Sequence, residues 1–193
     1  MKSDIILAGV GGQGILSIAT ILGAAALGDN LYLKQAEVHG MSQRGGDVMS
    51  CLRISSTPIA SDLIPQGKAD IIVSLEPMEA LRYLPFLSQE GWIVTSTVPF
   101  VNITNYPDQE ALMADLTARP NVVSFDMDAV AKEVATVRSS NMVLLGAAAP
   151  FIGIPVEKIE DGIRKVFARK GEKLVEQNLA AFRAGLERAK ANI

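Results

Sequence analysis

The sequence predicts one α/β domain with a mixed β-sheet, and three observations carry that expectation. Short apolar runs alternate with longer segments of helical periodicity along nearly all of the 193 residues, with no linker-like stretch dividing them. A glycine-rich turn, Gly9 to Gly14, joins the first apolar run to the first periodic segment, giving strand, turn and helix in that order. The second and third strand-like runs have no helical segment between them. They are expected to pair antiparallel, because a parallel return needs a crossover of roughly a dozen residues.

Taken in order, Ile5-Ile6-Leu7-Ala8 reads as a buried strand, and Ile15, Ile18, Ala19, Leu22 and Ala26 then recur at helical spacing up to Gly28, a helix stop. Leu31 to Val38 is the second strand. The loop His39-Gly40-Met41-Ser42-Gln43-Arg44-Gly45-Gly46-Asp47 is too rich in glycine for a helix, and the chain is extended again from Val48 to Ile54. Ala69 to Leu75 reads as an interior strand. Pro77 suits the first turn of a helix carrying Met78, Leu81, Leu84 and Leu87, and Trp92 to Thr95 is the next strand. Between Pro99 and Pro120 only Gln109 to Ala118 has a helical pattern. Asn121 to Phe125 is a strand, after which Asp126 and Asp128 can cap a helix running through Val137. The rest is helical, first from Ser139 to Ala149. From Val156, Ile159, Ile163, Val166 and Phe167 share one face; after Gly171, Val175, Leu179, Phe182 and Leu186 share another. Both stripes read as core.

Composition removes several functions. With 49% hydrophobic and 20% charged residues the chain can bury a core without covalent staples. Its 18 basic and 21 acidic side chains give a net charge of −3, which lacks the basic bias that neutralises a nucleic-acid backbone. The aliphatic runs are short and interrupted, and Met1-Lys2-Ser3-Asp4 leads straight into a strand, so no membrane span or export signal is expected and a cytoplasmic location is. A single cysteine, Cys51, rules out an internal disulfide and an iron–sulfur cluster held by about four thiolates. The single histidine, His39, likewise excludes the multi-histidine metal sites. Cys51 reads as a small buried hydrophobe and His39 as a hydrogen-bonding loop residue; no catalytic residue is assigned.

Two segments concentrate candidate binding residues. Gly9-Val10-Gly11-Gly12-Gln13-Gly14 fits G-x-G-x-x-G between strand and helix, where free helix N–H groups and the dipole favour a phosphate or carboxylate. A dinucleotide reading needs an acid about 20 residues further on, and Glu37 stands at about that distance. The sequel differs, since a glycine-rich loop and an antiparallel strand follow where a nucleotide-binding half has a helix and a parallel strand. A tight turn without ligand stays open. In the second segment Ser42, Gln43 and Arg44 precede Gly45 and Gly46, and the Arg44 guanidinium suits either a carboxylate or phosphate ligand or an acid of a neighbouring subunit.

Gly9-Val10-Gly11-Gly12-Gln13-Gly14-Ile15-Leu16 and Glu37-Val38-His39-Gly40-Met41-Ser42-Gln43-Arg44-Gly45-Gly46 together resemble the gamma domain of the 2-oxoacid:ferredoxin oxidoreductases. The second segment is more similar to the beta subunits of indolepyruvate ferredoxin oxidoreductases than to the pyruvate branch with its Tyr-Gly-Pro-Glu-Met-Arg-Gly-Gly type of loop. Leu75 to Pro85 and Asn141 to Gly146 extend the resemblance over most of the chain. It implies a three-layer α/β/α single domain over residues 1–193, with a mixed, mostly parallel sheet. It also implies a complex that decarboxylates a 2-oxoacid on thiamine diphosphate with magnesium and passes electrons through iron–sulfur clusters to ferredoxin, yielding an acyl-coenzyme A.

By that resemblance the cofactors belong to a large alpha subunit, and this chain binds none of them alone. The Gly-Asp-Gly and Asn-Asn pattern of the thiamine-binding portion is missing; Asp161-Gly162 stands isolated in a helical segment. Gly9, Gly11, Gly12, Gln13, Gly14, Ser42, Gln43, Arg44, Gly45 and Gly46 are the expected coenzyme A, phosphate or intersubunit contacts. Asp47 departs from relatives that place a small hydroxyl residue there. An independent NAD- or FAD-binding protein and a purely structural assembly subunit are the alternatives.

Overall fold

The computed structural model describes residues 1–39 and 45–191. Six strands form its sheet: β1 (Lys2–Val10), β2 (Tyr32–His39), β3 (Asp47–Ser55), β4 (Ala69–Ser74), β5 (Leu87–Ser96) and β6 (Val122–Phe125). Their order across the sheet is β2-β3-β1-β4-β5-β6. β3 runs antiparallel to both neighbours, with Lys2 opposite Ser55 and Val10 opposite Asp47 on one side and Tyr32 opposite Ser55 on the other. The β1/β4, β4/β5 and β5/β6 pairings are parallel. The sheet is therefore mixed and mostly parallel.

β1 lies in the sheet interior because its sequence tolerates burial on both faces: every residue from Ser3 to Val10 is buried. With the period of two of a strand, Ile5 and Leu7 enter one core and Ile6 and Ala8 the other. The helices are α1 (Ile15–Gly28), α2 (Pro77–Arg82), α3 (Gln109–Thr117), α4 (Met127–Val134), α5 (Ser140–Ile152), α6 (Val156–Phe167) and α7 (Glu172–Lys190). Those from α1 and α4 to α7 cover the Ile5 and Leu7 face; Ala80 of α2 and Leu116 of α3 pack on the Ile6 and Ala8 face. Three layers result.

α5 is buried on all sides apart from Pro150 and Phe151, which makes it a core helix rather than an amphipathic one. It touches α7 backbone to backbone. A Cβ on Gly146 would fall 1.9 Å from the Phe182 carbonyl oxygen, and one on Gly185 would fall 2.0 Å from that of Val143. The stripes expected to be core are core: Ile159, Ile163, Phe167, Val175, Leu179, Phe182 and Leu186 are buried, and Val166 is half-buried against them.

Several boundaries differ from expectation. The helix after Pro77 stops at Arg82, because Pro85 cannot continue it; Leu84–Phe86 is a 3-10 turn and Leu87 already opens β5. The helix capped by Asp126 ends at Val134 rather than Val137, and Val137–Ser139 forms a separate 3-10 turn leading into α5. Gly28 closes α1 while still helical; the left-handed residue that redirects the chain is Asn30, with φ 53°.

Candidate functional site

The chain leaves β1 through the glycine turn and enters α1 on one face of the sheet, whereas from β4 it enters α2 on the other. Between the carboxyl ends of β1 and β4 the winding reverses, and open α/β sheets bind ligands in the crevice at such a point. A cavity of about 680 Å3 lies there. It is lined by Gly12, Gln13, Gly14 and Ser17 from the front turn and by Leu75 and Ser96 beyond β4 and in β5. Val98 to Phe100, Asp128, Thr136 to Asn141, Phe167, and Leu174, Gln177 and Asn178 of α7 complete it.

The front turn holds itself in place. The Gln13 side-chain oxygen accepts the Val10 N–H at 2.8 Å, and the Gln13 N–H donates to the Val10 carbonyl at 3.1 Å. Gly14 starts α1 in the left-handed region, φ 79° and ψ 21°, where a side chain is strained. A Cβ there would also lie 2.6 Å from Asn141 Nδ2, the group that donates to the Gly14 carbonyl at 3.1 Å. No side chain of the described residues caps α1 or α5. Gly14 and Ser17 at the start of α1 and Ser139 to Asn141 at the start of α5 thus line one crevice, with the Ser17 N–H taken by the Gly14 carbonyl and the Ser140 N–H by the Val137 carbonyl.

Arg138 sits at the lip, exposed and without an ion pair among the described residues. Ser139 is 4% exposed and its hydroxyl has no partner among the described residues. Asn178, also 4% exposed, donates to the Leu174 carbonyl at 2.8 Å, which leaves its amide oxygen without a donor among those residues. Across the site the Ser140 hydroxyl lies 2.5 Å from the Asp128 carboxylate. The lining carries one cation, Arg138, and one carboxylate, Asp128; the guanidinium, the two helix N-termini and the uncommitted polar atoms suit an anionic ligand with further hydrogen-bonding groups.

Of the residues singled out in the sequence, Gly12, Gln13 and Gly14 line this cavity. Gly9 ends up in β1, where a Cβ would meet the Gln13 Oε1 at 2.9 Å. Gly11 is occupied by the neighbouring strand: its N–H donates to the Gly46 carbonyl at 2.8 Å and its carbonyl accepts from Gly45 at 3.2 Å. Gly45 and Gly46 therefore prolong the β1/β3 ladder beside the turn. Ser42, Gln43 and Arg44 lie outside the described residues. No local sequence pattern marks Arg138, Ser139 and Asn178, since elements distant in sequence bring them to the crevice.

Glu37 is on β2, and β3 separates it from β1, so the acid a dinucleotide's ribose needs stands two strand spacings, about 9.6 Å, from the strand carrying the turn. The independent dinucleotide-binding reading loses its geometric basis. Cys51 is buried in β3 at 2% exposure. Among the described residues no group of three His, Cys, Asp or Glu side chains is placed to hold a metal ion. A lone thiol does not fit an iron–sulfur cluster. Asp161-Gly162 does not fit a thiamine site, because Gly162 is an α6 residue packed 2.7 Å, at its Cβ position, from the Ile21 carbonyl.

Fold and crevice together define a doubly wound α/β domain, altered by one reversed strand, that presents a ligand-sized cleft of mixed polar and apolar lining at the carboxyl end of its sheet. The chain belongs to the pyruvate ferredoxin/flavodoxin oxidoreductase family, which it matches over residues 4–188. It is 37% identical over 192 residues to the indolepyruvate oxidoreductase subunit IorB of Methanothermobacter thermautotrophicus, covering 96% of each chain. The gamma subunit of a keto/oxoacid ferredoxin oxidoreductase from Geobacter sulfurreducens superposes with a TM-score of 0.70 at 26% identity, covering 98% of this chain and 99% of that one. A 2-oxoglutarate:ferredoxin oxidoreductase from Magnetococcus marinus, solved with 2-oxoglutarate, coenzyme A and succinyl-CoA bound, superposes with a TM-score of 0.77 at 25% identity. That likeness covers 98% of this chain but only 31% of the larger one. The chain is thus of the accessory-subunit type. No helix among the described residues is long and apolar enough to cross a membrane.

Proposed function

We propose that this chain is the accessory subunit of a cytoplasmic 2-oxoacid:ferredoxin oxidoreductase of the indolepyruvate type, and that its crevice receives the coenzyme A cosubstrate. Thiamine diphosphate, magnesium and the iron–sulfur clusters belong to the large alpha subunit, where they supply decarboxylation of the oxoacid and electron transfer to ferredoxin. The observation that carries the coenzyme A assignment is the convergence of the α1 and α5 N-termini with the unpaired Arg138 on one cavity. The main-chain N–H groups and the guanidinium hold phosphate oxygens, while Ser139 and Asn178 offer further hydrogen bonds. The ligand is oriented and partly removed from water, which lets the partner's centre receive its thiol.

The rim favours a second role for the same end of the molecule. Val98, Phe100 and Val137 line the cavity and are exposed, and Val101 and Ile103, next along the chain from Phe100, are exposed apolar residues too, a distribution that suits docking onto the large subunit. Co-expression with and without the large subunit tests the assignment. Acyl-coenzyme A formation is expected only with both chains present, with a raised KM for coenzyme A in Arg138→Ala. Full activity of the large subunit alone overturns it.

A further inference from the structure

The buried carboxylate of Glu76 lies outside the crevice, yet it is bound to the segment that walls it. Glu76 follows β4, is fully buried, and has its own backbone fixed by Ser74, whose hydroxyl accepts the Glu76 N–H at 3.1 Å and donates to the Glu76 carbonyl at 2.8 Å. Its Oε2 caps α2 by accepting the Glu79 N–H at 2.8 Å. Capping needs no more than that. Asp108 and Asp126 cap α3 and α4 in the same manner with the shorter carboxylate side chain.

The second oxygen reaches elsewhere. Glu76 Oε1 accepts the Phe100 N–H at 3.3 Å and the Tyr106 hydroxyl, both from the connection between β5 and α3. That connection has little regular structure of its own, and its Val98, Pro99 and Phe100 form one wall of the cavity. From there Asn102 Nδ2 donates to the Gly45 carbonyl, and Gly45 donates in turn to Gly11 beside the front turn. A buried carboxylate is costly unless its oxygens are satisfied, so three donors to one side chain fix the donors as firmly as the acceptor. Burial, together with the hydrogen bond to Glu76, also raises the Tyr106 hydroxyl above the usual phenol range, keeping it a donor.

We infer that Glu76 is a positioning residue: through Tyr106 and Phe100 it sets the cavity wall, and through Asn102 and Gly45 the flank of the glycine turn, without touching the ligand. This inference rests on the coenzyme A reading of the crevice. The test pairs Tyr106→Phe, which removes one hydroxyl and keeps the ring, with Arg138→Ala in the crevice. Hydrogen exchange of the full chain is read at Phe100, and the KM for coenzyme A and kcat are read in the assembled complex, with thermal melting as the check on folding. In Tyr106→Phe, Phe100 exchange is expected to rise about tenfold, and the KM for coenzyme A to rise several-fold more than kcat falls. Glu76→Gln, which keeps an acceptor oxygen, is expected to fall between Tyr106→Phe and the native protein in both readouts. Unchanged Phe100 exchange in Tyr106→Phe overturns the inference whatever the ligand. Faster exchange with an unchanged KM overturns it too if Arg138→Ala raises that KM. If neither variant moves the KM while exchange rises, the anchoring of the wall stands and the coenzyme A reading falls.

Discussion

Gly146 of α5 and Phe182 of α7 approach so closely that a methyl group on the Gly146 α-carbon would lie 1.9 Å from the Phe182 carbonyl oxygen. Backbone cannot give way as a side chain does. Gly146→Ala therefore has to push α7 off α5, and overpacking of this kind costs about 3 kcal/mol. For a chain of this size the melting temperature is expected to fall by about 6–12 °C. Gly171→Ala, at a position where a Cβ meets nothing within 4 Å but φ is 99°, serves as the contrast: it carries backbone strain without the helix clash.

Gly14→Ala acts on the site more than on the fold. It places a side chain at φ 79° and pushes it against Asn141, the residue that ties the front turn to α5. The left-handed conformation costs about 1–2 kcal/mol. Loss of the Asn141 bond is expected to raise the KM for coenzyme A about tenfold, the equivalent of one hydrogen bond. A melting change with no change in KM argues that the turn is structural only.

Asp4 ties the opposite end of the sheet. Burial opposes its charge, but Arg53, bonded at 2.7 and 3.1 Å, and Lys2 at 2.8 Å outweigh that and hold its carboxyl below the usual range. The contribution to stability is therefore complete above the unfolded value of about 3.9 and is lost as pH falls through the lower folded value. Arg53 also donates to the Ser61 and Leu63 carbonyls, so the pair anchors the chain after β3. Asp4→Asn is expected to cost about 3 kcal/mol at pH 7 in urea unfolding, with the gap to the native protein closing towards pH 2. Parallel pH curves for the two proteins contradict this.

Titration of the purified chain with NAD, NADP and FAD is expected to show no saturable binding, because Glu37 stands on the far side of β3 from the glycine turn. Tight binding of any of the three revives the independent dinucleotide-binding reading.

Elements specified by local pattern were legible from sequence. The front strand, turn and helix, the antiparallel step into β3, and the stripes of α6 and α7 each depend on residues within a dozen positions of one another. The apolar pattern overruns the helix after Pro77 because Leu84 and Leu87 keep helical spacing past Pro85, whose ring ends the helix whatever that pattern. The site was legible in one strand-end only. Gly12, Gln13 and Gly14 announce themselves, whereas Arg138, Ser139 and Asn178 enter the crevice by the packing of α5 and α7, fixed by backbone contact at Gly146 and Gly185. The connection from Pro99 onward was unpatterned because its order comes from Glu76, a side chain 24 residues before Phe100.

The reversed strand has a selective effect. By wedging itself between the turn-bearing strand and its usual neighbour, β3 takes up the Gly11 main chain and moves the sugar-gripping acid out of reach. A familiar nucleotide cradle thereby lacks the carboxylate that would grip the ribose of a nicotinamide or flavin carrier, and what remains of it at the crevice is the backbone of Gly12 and Gly14 with Gln13 between them.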